Sequence, residues 1–211
     1  MSGYTYNPIY THFKGGDMTR CELMERAVVE TILKSKMSDS KRAWSKTFEL
    51  KHSSSVTQIG RILAQKRKLD PELAAIICGM HDIYVFTTGR VTDHAHKGAP
   101  IARTMLEKMK KFSKAEIKLI STAIYNHSDK HVVSKNPYIE LVKDADVLDC
   151  SLYDGVHDAY LYEKSLANCR KYFARIRAVR KELGLPRDPQ WDVFEYVERG
   201  KAYYAKTGKK P

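Results

Sequence analysis

The chain has 211 residues, 43% of them hydrophobic and 29% charged, which is typical of a globular protein with room for one sizeable domain. No apolar stretch reaches the roughly 20 residues needed to cross a bilayer. The N-terminus also lacks the apolar core of a secretory signal, so we expect a cytoplasmic protein without a membrane partner. The formal charge of +12, with 13 Lys/Arg against 6 Asp/Glu in residues 163–211, attracts phosphate-bearing partners in general, but Lys-rich solvated helix faces are the commoner explanation of such a charge.

The cysteines are spread along the chain without a C-x-x-C pair. This spacing is typical neither of a disulfide framework nor of a zinc ribbon. We therefore expect reduced, buried thiols at Cys21, Cys78, Cys150 and Cys169.

Almost every segment repeats its apolar residues at the helical period. Val56, Ile59 and Leu63 mark one helix, which follows a first forty residues of weak pattern. The run LAAIICGM predicts the next helix, with Asp70 as its N-cap and Pro71 at its first position. The run ends in the polar pair His-Asp, which is costly to bury without partners.

Further helices follow with recognisable starts. Thr92 or Asp93 is the candidate cap of a helix whose apolar face is formed by Ile101, Met105, Leu106 and Met109. Ser113 and Glu116 have the spacing of a capping box and precede Ile117, Ile120 and Ile124. Pro137 opens the helix PYIELVKDADVLD.

The C-terminal part predicts one long amphipathic helix from Gly155 to about Leu183 and a last helix from Trp191 to Tyr204. Period-2 strand patterns, Gly-rich phosphate loops and internal repeats are absent from the sequence. The prediction is an all-α protein in three parts: an N-terminal segment, helical and packed on the core, over residues 1–40; a core over residues 41–154; and a basic helical extension over residues 155–211.

Polar residues interrupt the apolar faces of these helices in a consistent way. His81 lies four residues after Ile77, His127 follows the Ile120/Ile124 stripe, and Asp146 lies four residues after Val142. His52 stands at the start of the helix that contains Val56. Taken singly, each is explained by a hydrogen-bonded core histidine or a capping aspartate. Their convergence is better explained by one or two shared divalent metals, because burying them unpaired costs several kcal/mol.

The motifs KHSSSVTQIGRILA, LDPELAAIICGMHDIY, HAHKGAPIARTML, ISTAIYNH and LVKDADVLD together resemble the HD-domain superfamily of metal-dependent phosphohydrolases, over about residues 48–150. The shared feature is the order His, His-Asp, His, His, Asp. The fold that this resemblance implies is an HD-domain helical bundle with an additional C-terminal helical extension. A second His-Asp pair, His157–Asp158, follows the last motif and is interpreted as surface or packing residues.

The resemblance implies roles for particular residues. His52, His81, Asp82 and Asp146 would form the primary metal site, with His81 and Asp82 also counted as catalytic. Asp82 would bridge to a second ion held by His94 and His127. His94 is preferred to His96 because HAHKGA matches the family's H-x-x-x-G-A pattern, and His96 and His131 are left as substrate contacts or bystanders.

The activity implied is hydrolysis of a phosphate ester or anhydride of a nucleotide-like substrate by a metal-activated water. Imidazole and carboxylate ligands favour Mn, Fe, Co, Ni or Zn over Mg alone. Arg90, Lys97, Lys130 and also Arg61 are candidates for contacting substrate phosphate, although each is equally explained as a solvated basic residue. Ile-Tyr follows the His-Asp pair and no GYP motif occurs, which argues against the cyclic-dinucleotide branch.

Two alternatives remain open. The protein could be a non-catalytic, metal-stabilised binding protein whose basic C-terminal helices contact nucleic acid or another acidic partner, with affinity falling steeply with salt. It could also use a di-iron form of the site for oxygen chemistry, as some members of the wider superfamily do. A homodimer is possible under any of these interpretations.

Overall fold

The computed structural model describes residues 15–195, which fold into helices and connecting loops without any strand. The predicted all-α fold is confirmed. The helices are α1 (Arg20–Lys34), α2 (Lys46–Lys66), α3 (Pro71–Met80), α4 (Ile83–Thr88), α5 (His94–Met109), α6 (Lys114–Asn126), α7 (Pro137–Cys150), α8 (Val156–Glu163) and α9 (Leu166–Glu182), with short 3-10 helices at Asp39–Lys41 and Pro189–Asp192. No helix in this described part is long and apolar enough to cross a membrane.

Side-chain caps start most of these helices where the sequence predicts. The Asp70 carboxylate accepts hydrogen bonds from the backbone N–H groups of the first turn of α3. Ser113 and Glu116 form the expected capping box of α6. Asp93 does precede α5, but its backbone is left-handed (φ 58°) and its side chain does not cap the helix. A further capping box, between Thr19 and Glu22, starts α1 in the weakly patterned N-terminal segment.

Helix α3 is the centre of the bundle. It packs against α1, α2, α6 and α7, and its residues from Ala74 to Met80 are all buried. The approach of α2 is close: a Cβ added to Gly60 would lie 2.5 Å from the Cys78 sulfur, so only glycine fits there. The apolar run of α3 thus carries the chain through the core and leaves the following His-Asp pair in the interior.

The prediction of a single long helix after Gly155 is wrong, because the structure has two helices there, α8 and α9. The break falls at Lys164–Ser165, where the Ser165 hydroxyl accepts a hydrogen bond from the Asn168 N–H and caps α9. The predicted helix from Trp191 also differs. Pro189–Asp192 is a 3-10 helix followed by the extended residue Val193. The positions beyond residue 195 lie outside the described residues, as do residues 1–14.

The C-terminal helices have a small core of their own that includes Tyr160, Phe173 and Trp191, and α9 packs on α7. The second His-Asp pair belongs to this core. The His157 ring stacks on Phe173, and its Nε2 donates to the carbonyl of Val193 at 2.9 Å. The pair therefore has a packing role, one of the two interpretations proposed for it.

A buried ion pair joins α4 to the start of α2. The Arg42 guanidinium binds both carboxylate oxygens of Glu49, and both side chains are fully buried. The same guanidinium donates to the carbonyls of Val85 (3.1 Å) and Phe86 (3.2 Å) near the end of α4. The Val85 carbonyl also accepts from the Gly89 N–H at 2.7 Å, so the guanidinium adds a second donor there. The contact to the Phe86 carbonyl supplies a donor near the helix end, where backbone donors run out. Both contacts also fix α4 directly after the His-Asp pair.

We expect Glu49→Ala to lower the free energy of unfolding by about 3–5 kcal/mol, because it leaves the Arg42 charge buried and unpaired. Chemical denaturation would measure the loss. Glu30→Ala, which breaks the exposed pair between Glu30 and Lys34, is the control and should leave stability unchanged. Equal stability of the two variants would contradict the importance of the buried pair.

Candidate metal centre

All six residues predicted as metal ligands lie in one cluster at the end of α3. We call His52, His81, Asp82 and Asp146 the first half-site. The Nε2 atoms of His52 and His81 are 3.2 Å apart. Asp146 Oδ1 lies 3.6 Å from His52 Nε2, and Asp82 Oδ2 lies 3.4 Å from His81 Nε2. Helices α2, α3 and α7 thus bring together residues that are 94 positions apart in the chain.

The second half-site consists of Asp82, His94 and His127. His94 is the first residue of α5, and His127 directly follows α6. Their Nε2 atoms are 3.2 Å apart, and each lies 3.3 Å from Asp82 Oδ1. The two oxygens of Asp82 therefore face different pairs of imidazoles.

The hydrogen bonds of the histidines determine which ring nitrogen carries the proton. In three of them Nδ1 faces the backbone carbonyl three residues earlier, and a carbonyl can only accept, so Nδ1 must donate. The pairs are His81–Cys78 (2.6 Å), His94–Val91 (2.9 Å) and His127–Ile124 (2.7 Å). Nε2 of a neutral ring then offers a lone pair to the cluster, which is the tautomer that a metal requires.

His52 is oriented by a side chain that the sequence analysis missed. Its Nδ1 lies 2.6 Å from Asp149 Oδ2, and both residues are buried. Asp149 lies three residues after Asp146, so the two carboxylates share one side of α7. The spacing in DADVLD was the available signal, but only the fold shows that α7 lies beside α2.

The cluster fits a cation better than it fits any arrangement of protein groups alone. Lone pairs of imidazole nitrogens face one another and face carboxylate oxygens, with no proton between them when the rings are neutral. Asp82 Oδ1 is buried and has no hydrogen-bond partner, which is costly unless a cation is present. Imidazoles with carboxylates are a donor set suited to first-row transition metals. These residues could hold one or two divalent ions.

Burial and charge divide the histidines into two kinds. Burial lowers the pKa of His81 to about 4 and also lowers the pKa of His94, so these rings are neutral at pH 7. Burial alone would also lower the pKa of His52, but the hydrogen bond to Asp149 and the charges of Asp146 and Asp82 outweigh it and raise the pKa. His52 therefore keeps its second proton to higher pH than His81 and His94 do, and a metal that binds at its Nε2 must displace that proton.

Of the predicted phosphate contacts, the structure places one in the cluster. The Lys130 ammonium is buried 2.5 Å from Asp146 Oδ2, and together with the nearby imidazoles it keeps the pKa of Asp146 well below its usual value, although burial opposes this. Lys97 is exposed and donates to the carbonyl of Thr92. Arg90 is exposed, and within residues 15–195 no hydrogen bond or ion pair links its guanidinium to the cluster. The roles of all three stay predictions.

His96 and Arg61 face other partners. His96 pairs with Asp93 at 2.7 Å and lies against the ring of Tyr125, beside a surface groove of about 380 Å³ between α5 and α6. Two residues turn a helix by about 200°, so this groove lies on the opposite side of α5 from His94. Arg61 pairs with Glu25 at 2.8 Å and ties α2 to α1. His131 accepts a hydrogen bond from Lys171 through its carbonyl.

Comparison with known proteins agrees with this geometry. A model of the HD domain matches residues 50–150, a range that contains every member of both half-sites. Residues 50–150 therefore form a domain of the HD-domain superfamily. Members of this superfamily bind divalent metals, and the HD domain here has donor groups placed to do the same. No curated protein and no solved structure matched the chain significantly.

The protonation of His52 predicts a pH dependence of metal affinity. Affinity should be full above the raised pKa of His52 and should fall as pH decreases through it, because the metal must then displace a proton. The fall should approach about tenfold per pH unit. Asp149→Asn keeps an acceptor for Nδ1 but removes the charge, so it should shift the fall to lower pH. Chelator-competition titrations across the neutral range would measure both profiles.

The matched control is Asp154→Asn, since Asp154 is exposed in the loop between α7 and α8. Its profile should follow that of the unmodified protein. Identical profiles for the Asp149 and Asp154 variants would show that Asp149 does not set the proton affinity of His52.

Proposed function

We propose that this HD-domain protein is a metal-dependent phosphohydrolase that cleaves a phosphate ester or anhydride of a nucleotide-like substrate. The observation that supports it is the position of Asp82. One oxygen of its carboxylate faces His94 and His127, and the other faces His81. A carboxylate between two imidazole sets is suited to bridging two ions, an arrangement typical of enzymes that transfer phosphoryl groups.

The ions, when bound, would stabilise negative charge on the phosphoryl group and lower the pKa of a water molecule. The protein's own groups prepare the site for them. Backbone carbonyls fix the rings of His81, His94 and His127 through Nδ1, so little reorganisation is needed on binding. Lys130 adds a buried positive charge beside Asp146, where it favours an anionic substrate.

Access to the site is most open at His94. Its side chain is 22% exposed, whereas the side chains of the other five members of the half-sites are at most 9% exposed. We infer that substrate phosphate enters beside the start of α5. A partly enclosed site of this kind also limits competing water.

The nucleotide part of the proposal draws on an aromatic row along the start of α2. Trp44, Phe48 and His52 follow one another at intervals of four residues. The Phe48 ring stacks on the His52 imidazole at 5.5 Å, and Trp44 lies 5.8 Å from Phe48. The Tyr153 ring also packs on Phe48, with ring centroids 5.2 Å apart. Trp44 is 36% exposed, so the row offers a stacking surface for a base near the first half-site.

The decisive test of the activity is Asp82→Asn. Phosphate release from a panel of nucleotides with added manganese should fall by more than about 100-fold, since even ligands one shell further out typically change activity by 10–100-fold. His96→Ala, on the opposite side of α5, is the control and should keep its activity. Full activity in the Asp82 variant would point to a contaminating phosphatase.

Trp44→Ala tests the base contact separately. The loss of stacking is worth about 1–3 kcal/mol, so KM for a nucleoside monophosphate should rise at least about fivefold with little change in kcat. KM for ribose 5-phosphate, which has no base, should not change. Tyr125→Ala removes an exposed aromatic ring from the groove between α5 and α6 and should change neither value. If Trp44→Ala raised KM equally for the nucleoside monophosphate and for ribose 5-phosphate, Trp44 would not contact the base.

The alternative of nucleic-acid binding by the basic C-terminal helices has less support. Several cations of α9 are already bound within the fold. Arg175 pairs with Glu140 and Asp144, and Arg177 pairs with Asp192. Two of the six Lys and Arg residues of α9 therefore have acidic partners within the fold.

A further inference from the structure

The thiol of Cys150 lies beside the first half-site. Cys150 is the last residue of α7, one turn after Asp146, so both side chains lie on the same face of the helix. Its Sγ is 3.4 Å from Asp146 Oδ1, the oxygen that also lies 3.6 Å from His52 Nε2. Donor atoms of His52, Asp146 and Cys150 all lie within 4.8 Å of one another.

These separations suit a common ion. Bonds of about 2.0–2.1 Å to nitrogen or oxygen and about 2.3 Å to sulfur give a tetrahedral ligand set with edges of roughly 3.3–3.6 Å. The S–O and N–O separations of 3.4 and 3.6 Å fall in this range. In the adjoining second half-site, the buried and unpartnered Oδ1 of Asp82 indicates separately that the metal centre as a whole lacks a bound cation.

We propose, on the basis of the proposed metal centre, that the Cys150 thiolate is a further ligand of the ion held by His52 and Asp146. The thiol proton passes to solvent as the sulfur–metal bond forms. A thiolate is a softer ligand than imidazole or carboxylate, so this half-site prefers zinc, cobalt(II) or iron(II) to manganese and magnesium.

The other described cysteines have different surroundings. Cys169 donates to the carbonyl of Tyr160 at 3.2 Å, and Cys21 lies beside Glu25 and Arg61. Cys78 faces α2 inside the core. Within residues 15–195 no set of three or more grouped metal donors includes any of these three thiols. A thiolate–metal signal from the protein would therefore come from Cys150.

Cobalt(II) titration of the full, metal-free chain tests the proposal. Cobalt bound by a thiolate gives a near-ultraviolet sulfur-to-cobalt charge-transfer band, whereas the visible bands report binding with or without sulfur. We expect a charge-transfer band equivalent to one thiolate. Cys150→Ser should lose it and keep the visible bands, and the control Cys169→Ser should keep both. In competition experiments, the ratio of zinc affinity to manganese affinity should be at least about tenfold lower in Cys150→Ser than in the unmodified protein.

Each outcome separates this proposal from the proposed function. Visible bands without a charge-transfer band in the unmodified protein would overturn the thiolate ligand and leave the metal centre intact. A charge-transfer band that persists in Cys150→Ser would overturn it as well. Failure to bind cobalt at all would overturn both proposals. Because the first result needs no variant, misfolding of Cys150→Ser cannot hide the answer.

Discussion

The structure around the end of α3 depends on one electrostatic constraint, namely that hydrogen-bond acceptors are buried facing one another. Three imidazoles donate Nδ1–H hydrogen bonds to backbone carbonyls and a fourth pairs through Nδ1 with Asp149, so in the neutral rings the Nε2 atoms meet as lone pairs. The carboxylates of Asp82 and Asp146 add negative charge at the same place. Such a cluster is expensive in isolation, and a divalent cation is the simplest group that converts its repulsions into attractions. The cation that the proposed chemistry needs is therefore the same group that would relieve the repulsion that the fold creates.

Local periodicity allowed the helices to be predicted, together with the inward-facing His52, His81, His127 and Asp146. The roles of Asp82 and His94 were predicted only from the resemblance to the HD-domain superfamily. Capping residues such as Asp70 and Ser113 act within a few positions, and a polar residue on an apolar stripe is visible without a structure. The break at Ser165 was missed because the apolar period continues across it. There the local cap, rather than the pattern, decided where the helix starts.

Contacts between distant segments could not be predicted in the same way. Asp149 orients His52 only because α7 packs against α2, and Lys130 reaches Asp146 from a loop sixteen positions earlier in the chain. The Arg42–Glu49 pair leaves no periodic signature, since charged residues are normally expected at the surface. The internal pairing of Arg175 belongs to the same class, because its partners lie on α7.

The half-site residues lie on or directly after five separate helices, α2, α3, α5, α6 and α7. An ion bound there would act as a cross-link among segments that otherwise meet only through packing, and it would bind the folded chain far better than the unfolded one. Folded population would then rise with the free concentration of the metal, by mass action. Scarcity of that metal would increase turnover by proteases, so abundance as well as catalysis would follow the metal supply.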